Sequence, residues 1–168
     1  MPGVDAQDAI FDAVKKKFGF VPNLIREMSR NPAVARVYLD GQAAIGSGAL
    51  SHREQQVIQL AISVYNECDY CRAAHGLGSR RARAAPADIE AIQKGTLPED
   101  PRLRSLVSAT WQVLDVRGAL TSQDLRALEA EGVDRAQLYE IVAIIGLKTV
   151  SNYINHIAHT PIDEAFRE

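Results

Sequence analysis

Apolar positions recur along this chain with the period of a helix from end to end. Residues three and four apart share one helical face. In 5–18 the apolar positions are Ala6, Ala9, Ile10, Ala13, Val14 and Phe18, and Gly19 ends the segment. Phe20-Val21-Pro22 opens a short second helix over 23–30. Asn31-Pro32 breaks and restarts the chain, because proline suits a first helical turn. The third helix buries Val34, Val37, Tyr38, Ala44 and Ile45, and Gly46-Ser47-Gly48 closes it. Ser51 followed by Glu54 reads as a capping box. The helix it starts carries Val57, Ile58, Leu60, Ala61, Ile62 and Val64, apolar on most sides, so it belongs at the centre. Asn66-Glu67 marks its end.

A motif helix then runs to about Arg83, followed by helices over 86–95, 102–116 and 123–131. The last helix covers about 135–159. It is strongly apolar over 141–150 and turns polar at Ser151-Asn152-Tyr153. No stretch alternates in the manner of a strand. The pattern predicts an all-α helical bundle, a single domain over 1–168 with no linker. The last helix and the one before the motif are both strongly apolar, and a small helical domain can fully bury only a few such helices, which predicts a homo-oligomer.

Composition narrows the partners. The net charge is −2, so no basic field points to nucleic acid. Lys15-Lys16-Lys17 and Arg80-Arg81 read as solvated helix faces. Met1-Pro2-Gly3-Val4-Asp5 lacks the basic and apolar regions of a secretory signal, and no apolar run is long enough to span a membrane. The expectation is a cytoplasmic protein with no membrane partner. In that compartment a close cysteine pair is more often catalytic or metal-binding than a permanent staple.

Both cysteines stand in Glu67-Cys68-Asp69-Tyr70-Cys71-Arg72-Ala73-Ala74-His75. On a helix, Cys68 and Cys71 are one turn apart and His75 one turn further. Two thiols and an imidazole on one stripe suit dithiol redox chemistry. A free thiol has a pKa of about 8.5 and attacks only as thiolate, which a helix N-terminus and an imidazole both favour. The second thiol can then resolve the oxidised first one. A structural zinc site wants four ligands, and only three are local, so no metal and no cofactor is expected. Glu67 would raise the Cys68 pKa if it stood close. His52 follows the capping serine and belongs in solvent. His156 and His159 reach the motif only if the last helix packs beside it. The spacing of Cys68, Cys71 and His75 recurs at Asn152, Asn155 and His159, which a decayed duplication would place equivalently.

The run from Leu50 to His75 resembles the carboxymuconolactone decarboxylase superfamily, in particular its AhpD-like alkylhydroperoxidase branch. The positions that carry the resemblance are Leu50-Ser51, Arg53-Glu54, Asn66, Cys68, Tyr70, Cys71, Ala73-Ala74 and His75, within a core motif region over 50–83. The flanks Gly19-Phe20-Val21-Pro22-Asn23, Asn152-Tyr153-Ile154-Asn155-His156 and Thr160-Pro161-Ile162-Asp163 are similar to the peroxidase-related members. The resemblance implies an AhpD-like helical fold assembling as trimers or hexamers. It implies thiol-dependent reduction of hydroperoxides by a Cys-x-x-Cys dithiol, with a dithiol or protein reductant. Cys71 would attack, Cys68 would resolve, and His75 would relay protons. Two positions depart from the branch's pattern. Gln56 stands where a glutamate is expected, and glutamine cannot act as a general base. Tyr70 replaces a histidine between the cysteines. Glu54, Gln56 and Tyr70 remain candidate supporting residues. Two other functions stay open: a cofactor-free decarboxylase or lactone-processing enzyme of the same superfamily, and a non-catalytic redox-sensing oligomer.

Overall fold

The computed structural model describes residues 4–167. Met1 to Gly3, part of the stretch read for a secretory signal, lie outside the described residues. In order come α1 (Val4–Phe18), α2 (Asn23–Met28), α3 (Pro32–Ile45), α4 (His52–Tyr65), α5 (Asp69–Arg81), α6 (Pro86–Gln93), α7 (Pro101–Val116), α8 (Ser122–Ala130) and α9 (Arg135–Ala158). A 3-10 turn at Glu164–Phe166 follows, and the described residues contain no strand.

The capping box forms as read: Ser51 Oγ accepts the Glu54 N–H, and the Glu54 carboxylate accepts the Ser51 N–H at 2.7 Å. Glu54 also accepts from Arg102 Nε at 2.6 Å, and Arg53 donates to Asp100 at 2.6 Å. Asp100 in turn caps α7 by accepting the N–H groups of Arg102 and Leu103. The arginine-glutamate pair therefore ties the start of α4 to the start of α7.

Val57, Ile58, Leu60, Ala61 and Ile62 of α4 have no exposed surface. Ile58 and Ile62 pack with α7, α8 and α9, while Val57, Leu60 and Ala61 pack with α6 and α7. The expected central helix is thus α4. Each of the buried valine, leucine and isoleucine side chains contributes about 1.5–3 kcal/mol. A third apolar cluster joins α1, α2 and α3 to Tyr70 and both cysteines.

Helix α9 has its own capping box at Asp134 and Gln137 and is 24 residues long. Its first half buries Leu138, Ile141 and Ile144. Its second half buries polar groups instead: Lys148, Ser151, Asn152 and Asn155. Glu140, between Leu138 and Ile141, accepts the N–H groups of Ala49 and Leu50 and the Gln55 amide, fixing the turn that leads into α4.

Candidate active site

The motif begins where α4 stops. Asn66 ends the helix, Glu67 adopts φ +54°, and the Cys68 N–H reaches back to Ser63 O at 2.9 Å while the Glu67 N–H reaches Val64 O. This is the Schellman arrangement, with glutamate in the left-handed position that glycine usually fills. The sharp turn makes Cys68 the N-cap of α5, in extended backbone, rather than a residue on the helix as the spacing suggested. Cys71 sits in the first turn of α5, where the unpaired N–H groups favour a thiolate. Glu67 is exposed, and its charge does not figure at Cys68.

Both thiols are free, and each residue is 1% exposed. The Asn155 amide faces them, with Nδ2 at 3.3 Å from Cys71 Sγ and 3.8 Å from Cys68 Sγ. Ser151 Oγ lies 3.9 Å from Cys71 Sγ. The stripe of α9 that echoes the motif's spacing therefore stands opposite the motif. A hydrogen bond from Cys68 and the charge and hydrogen bond of Lys148 hold the Cys71 thiol well below its usual range, against the opposing effect of burial. The same bond, together with burial, pushes the Cys68 thiol up. The pair is thus polarised, with ionisation favoured at Cys71 and the proton at Cys68.

Lys148 is completely buried. Burial opposes its charge, but the Cys71 thiolate reverses that effect and leaves its pKa raised. Its Nζ lies 2.8 Å from His75 Nε2, and His75 Nδ1 lies 3.1 Å from Gln56 Oε1. An ammonium only donates and an amide oxygen only accepts. His75 must then be neutral, with Nδ1–H donating to Gln56 and Nε2 accepting from Lys148. Burial and then Lys148 push the His75 pKa well below its usual value, in agreement. The line reads Gln56–His75–Lys148–Cys71. Gln56 reaches His75, not the thiols. A Cβ at Gly78 would lie 2.2 Å from Gln56 Oε1, so glycine there leaves room for the amide. Tyr38 of α3 closes the site beside Lys148 and Ser151.

The other named residues have different places. Glu54 lies roughly 16 Å along α4 from the motif end and is engaged by Ser51 and Arg102, so it does not support the thiols. The Tyr70 hydroxyl donates to Asp163 and accepts the Leu24 N–H. Asp163 also accepts the Asn23 N–H, and Phe166 packs edge-on against Tyr70 and Phe20. Tyr70 is thus a strut, and the two flanking motifs meet on it. His52, His156 and His159 are exposed. The last helix does pack beside the motif, but it brings Lys148 and Asn155 rather than its histidines. Among the described residues, no cluster of three or more His, Cys, Asp or Glu could hold a metal ion.

Lys148 is the member of the candidate site that the apolar pattern concealed. Its signal was a lone ammonium inside the apolar run from Ile141 to Val150. The thiols belong to one apolar cluster with side chains of α1 and α2, among them Ile10, Val14, Leu24, Ile25 and Met28. A cavity of about 620 Å³ opens between α1 and α2, lined by Phe11, Phe20, Val21 and Gly19 together with the charged Asp8, Asp12, Lys15 and Arg26. It shares Phe11 and Val21 with the cluster around the thiols.

Fold and site define an all-helical dithiol protein with a buried lysine beside its two thiols. Residues 32–98 match the Carboxymuconolactone decarboxylase family. The structure is similar to the peroxidase-related protein with an alkylhydroperoxidase AhpD core from Ralstonia eutropha JMP134, with 24% identity, 96% of this chain and 87% of that one covered, and a TM-score of 0.86. It is also similar to the peroxidase-related protein from Silicibacter sp. TM1040, with 20% identity, 99% and 89% covered, and a TM-score of 0.84. The debrominase Bmp8, solved in complex with 2,3,4-tribromopyrrole, has 18% identity, 99% and 91% covered, and a TM-score of 0.77. These likenesses establish the fold. A sequence comparison with curated proteins finds no match. No helix among the described residues is long and apolar enough to cross a membrane.

Proposed function

We propose that this protein reduces hydroperoxides with the Cys68–Cys71 dithiol, and that the buried pair of Cys71 thiolate and Lys148 ammonium drives the reaction. That pair is the observation that carries the reading. A lysine with no exposed surface and no carboxylate partner keeps its charge only if an anion stands beside it. Cys71 attacks the terminal oxygen of ROOH, forming an S–O bond as the O–O bond breaks. Two electrons leave sulfur, and the departing alkoxide takes a proton from Lys148. Cys68 then attacks the sulfenic sulfur, the S–S bond forms, and hydroxide leaves as water with the Cys68 proton. The buried ion pair becomes a neutral amine beside a disulfide, so no charge is stranded inside. A reductant carrying two thiols reverses the change. His75 and Gln56 orient the amine. The apolar surroundings of the thiols suit an organic hydroperoxide over hydrogen peroxide.

The test is consumption of tert-butyl hydroperoxide with a dithiol reductant. Wild type should turn over repeatedly, Cys71→Ser should be inert, and Cys68→Ser should stop after one equivalent, as a sulfenic acid. Turnover by Cys71→Ser equal to wild type would reject the proposal. A dithiol can also reduce carbon–halogen bonds, and the likeness to a debrominase makes a brominated pyrrole the fitting second substrate in the same assay.

A further inference from the structure

The Asn155 amide is only half used. Its Nδ2 faces both sulfurs, but its Oδ1 is buried and has no hydrogen-bond partner among the described residues. Asn155 is 5% exposed, so solvent does not compensate for this. One turn earlier on the same stripe, Asn152 Oδ1 accepts from Asn66 at 2.9 Å, while Asn152 Nδ2 is also without a partner. A buried acceptor left unmade costs more than an ordinary hydrogen bond gains, so such groups usually have a purpose. The orientation is chemically determined, since a thiolate accepts but cannot donate and therefore takes the NH₂ end of the amide.

We infer that Asn155 Oδ1 binds the O–H of the reacting oxygen, so that the site takes peroxides carrying a hydrogen on the attacked oxygen. This rests on the hydroperoxide reading and makes Asn155 a further catalytic residue. One amide then has two tasks. Its N–H stabilises the attacking sulfur, and its oxygen holds the atom that sulfur attacks. The hydrogen that Asn155 holds stays on the oxygen throughout the first step. As the S–O bond forms and the O–O bond breaks, the alkoxide leaves with the Lys148 proton, and the product is Cys71–S–O–H with its hydrogen still on Oδ1. The sulfenic acid is thereby kept protonated, which is the form that Cys68 can displace. Dialkyl peroxides offer no such hydrogen.

The test compares two reagents on Asn155→Leu, Asn155→Ala and wild type. One is tert-butyl hydroperoxide. The other is methyl methanethiosulfonate, whose attacked sulfur carries no hydrogen. Rates are measured at a pH where ultraviolet absorbance shows Cys71 fully ionised in each variant, which removes the effect of the lost N–H on thiolate formation. The hydroperoxide rate should fall about tenfold or more relative to the thiosulfonate rate, the magnitude of one well-placed hydrogen bond. The thiosulfonate rate reports an intact site in either variant. If both rates fall equally, Asn155 acts only on the sulfur and the inference is overturned. A wild type that reacts with the thiosulfonate but not with the hydroperoxide overturns the peroxidase reading itself, and this inference with it.

Discussion

Glu67 shows how one residue sets the site. Its left-handed backbone turns the chain so that Ser63 O receives the Cys68 N–H and Cys68 becomes the cap of α5. A side chain in that conformation costs roughly 1–2 kcal/mol. Nothing in the sequence announces it, because glycine or asparagine is the usual signal there. Since Glu67 is exposed and contributes only its backbone, Glu67→Gly should raise the melting temperature by about 2–4 °C and leave peroxide reduction unchanged. Calorimetry and the peroxide assay check this. A lower melting temperature would show that the carboxylate itself contributes. At Gln56 the type of residue was legible but its contact was not. The resemblance placed it toward the motif, and only the packing shows that it meets His75 rather than a thiol.

At the scale of elements, the helices were legible because each carries its own period and its own stop. The capping box at Ser51, the prolines that begin α3, α6 and α7, and the glycines after α1, α7 and α8 are local signals. The pairing of α9 with the motif is not local, and Lys148 and Asn155 depend on it. A periodic reading treats one lysine in an apolar run as an interruption. It becomes chemistry only when α5 is seen beside it. The pairing has a measurable consequence. In the proposed cycle, reducing the disulfide takes up two protons with two electrons, one on Cys68 and one on Lys148, even though Cys71 emerges ionised. The Cys71 pKa is depressed and those of Cys68 and Lys148 are raised. Between these limits the two-proton stoichiometry holds. The reduction potential should therefore fall by about 59 mV per pH unit across neutral pH, where a dithiol with one ionised thiol and no coupled lysine would fall by about half that. Redox titration against a buffered dithiol couple at several pH values measures the slope. The half-sized slope in wild type would remove Lys148 from the proton count.

At the scale of the whole molecule, the outer face of α9 is unusually apolar. Tyr139, Val142, Tyr153 and Ile157 are 62%, 48%, 56% and 81% exposed, at helical spacing along one side. Val37 of α3, the helix that packs against α9, is 63% exposed, and Ala44 is exposed too, so neither belongs to the buried stripe that the pattern predicted. We propose that this face joins copies of the chain into a homo-oligomer, as two apolar helices in one small domain suggested. Light scattering at micromolar concentration should give a multiple of the 18.4 kDa chain, and Tyr153→Lys with Ile157→Lys should reduce it to the monomer. A monomeric wild type would contradict the proposal. The opposite side of α9 faces the thiols, so one helix would serve both assembly and chemistry.

Lys148 is central to the proposed reactivity of Cys71. Lys148→Met keeps the volume but removes the cation, leaving the Cys68 hydrogen bond as the main support for the Cys71 thiolate. The Cys71 pKa should then rise toward the ordinary thiol value of about 8.5. The direct measurement is the single-turnover rate of Cys71 oxidation by tert-butyl hydroperoxide as a function of pH, in wild type and Lys148→Met. Wild type should show a flat profile through neutral pH. The variant should be at least about 10- to 30-fold slower at pH 7, from its smaller thiolate fraction, and should recover only in part as the pH rises, because the alkoxide has also lost its proton donor. A variant with the rate and pH profile of wild type would contradict the claim that the buried ammonium makes Cys71 reactive.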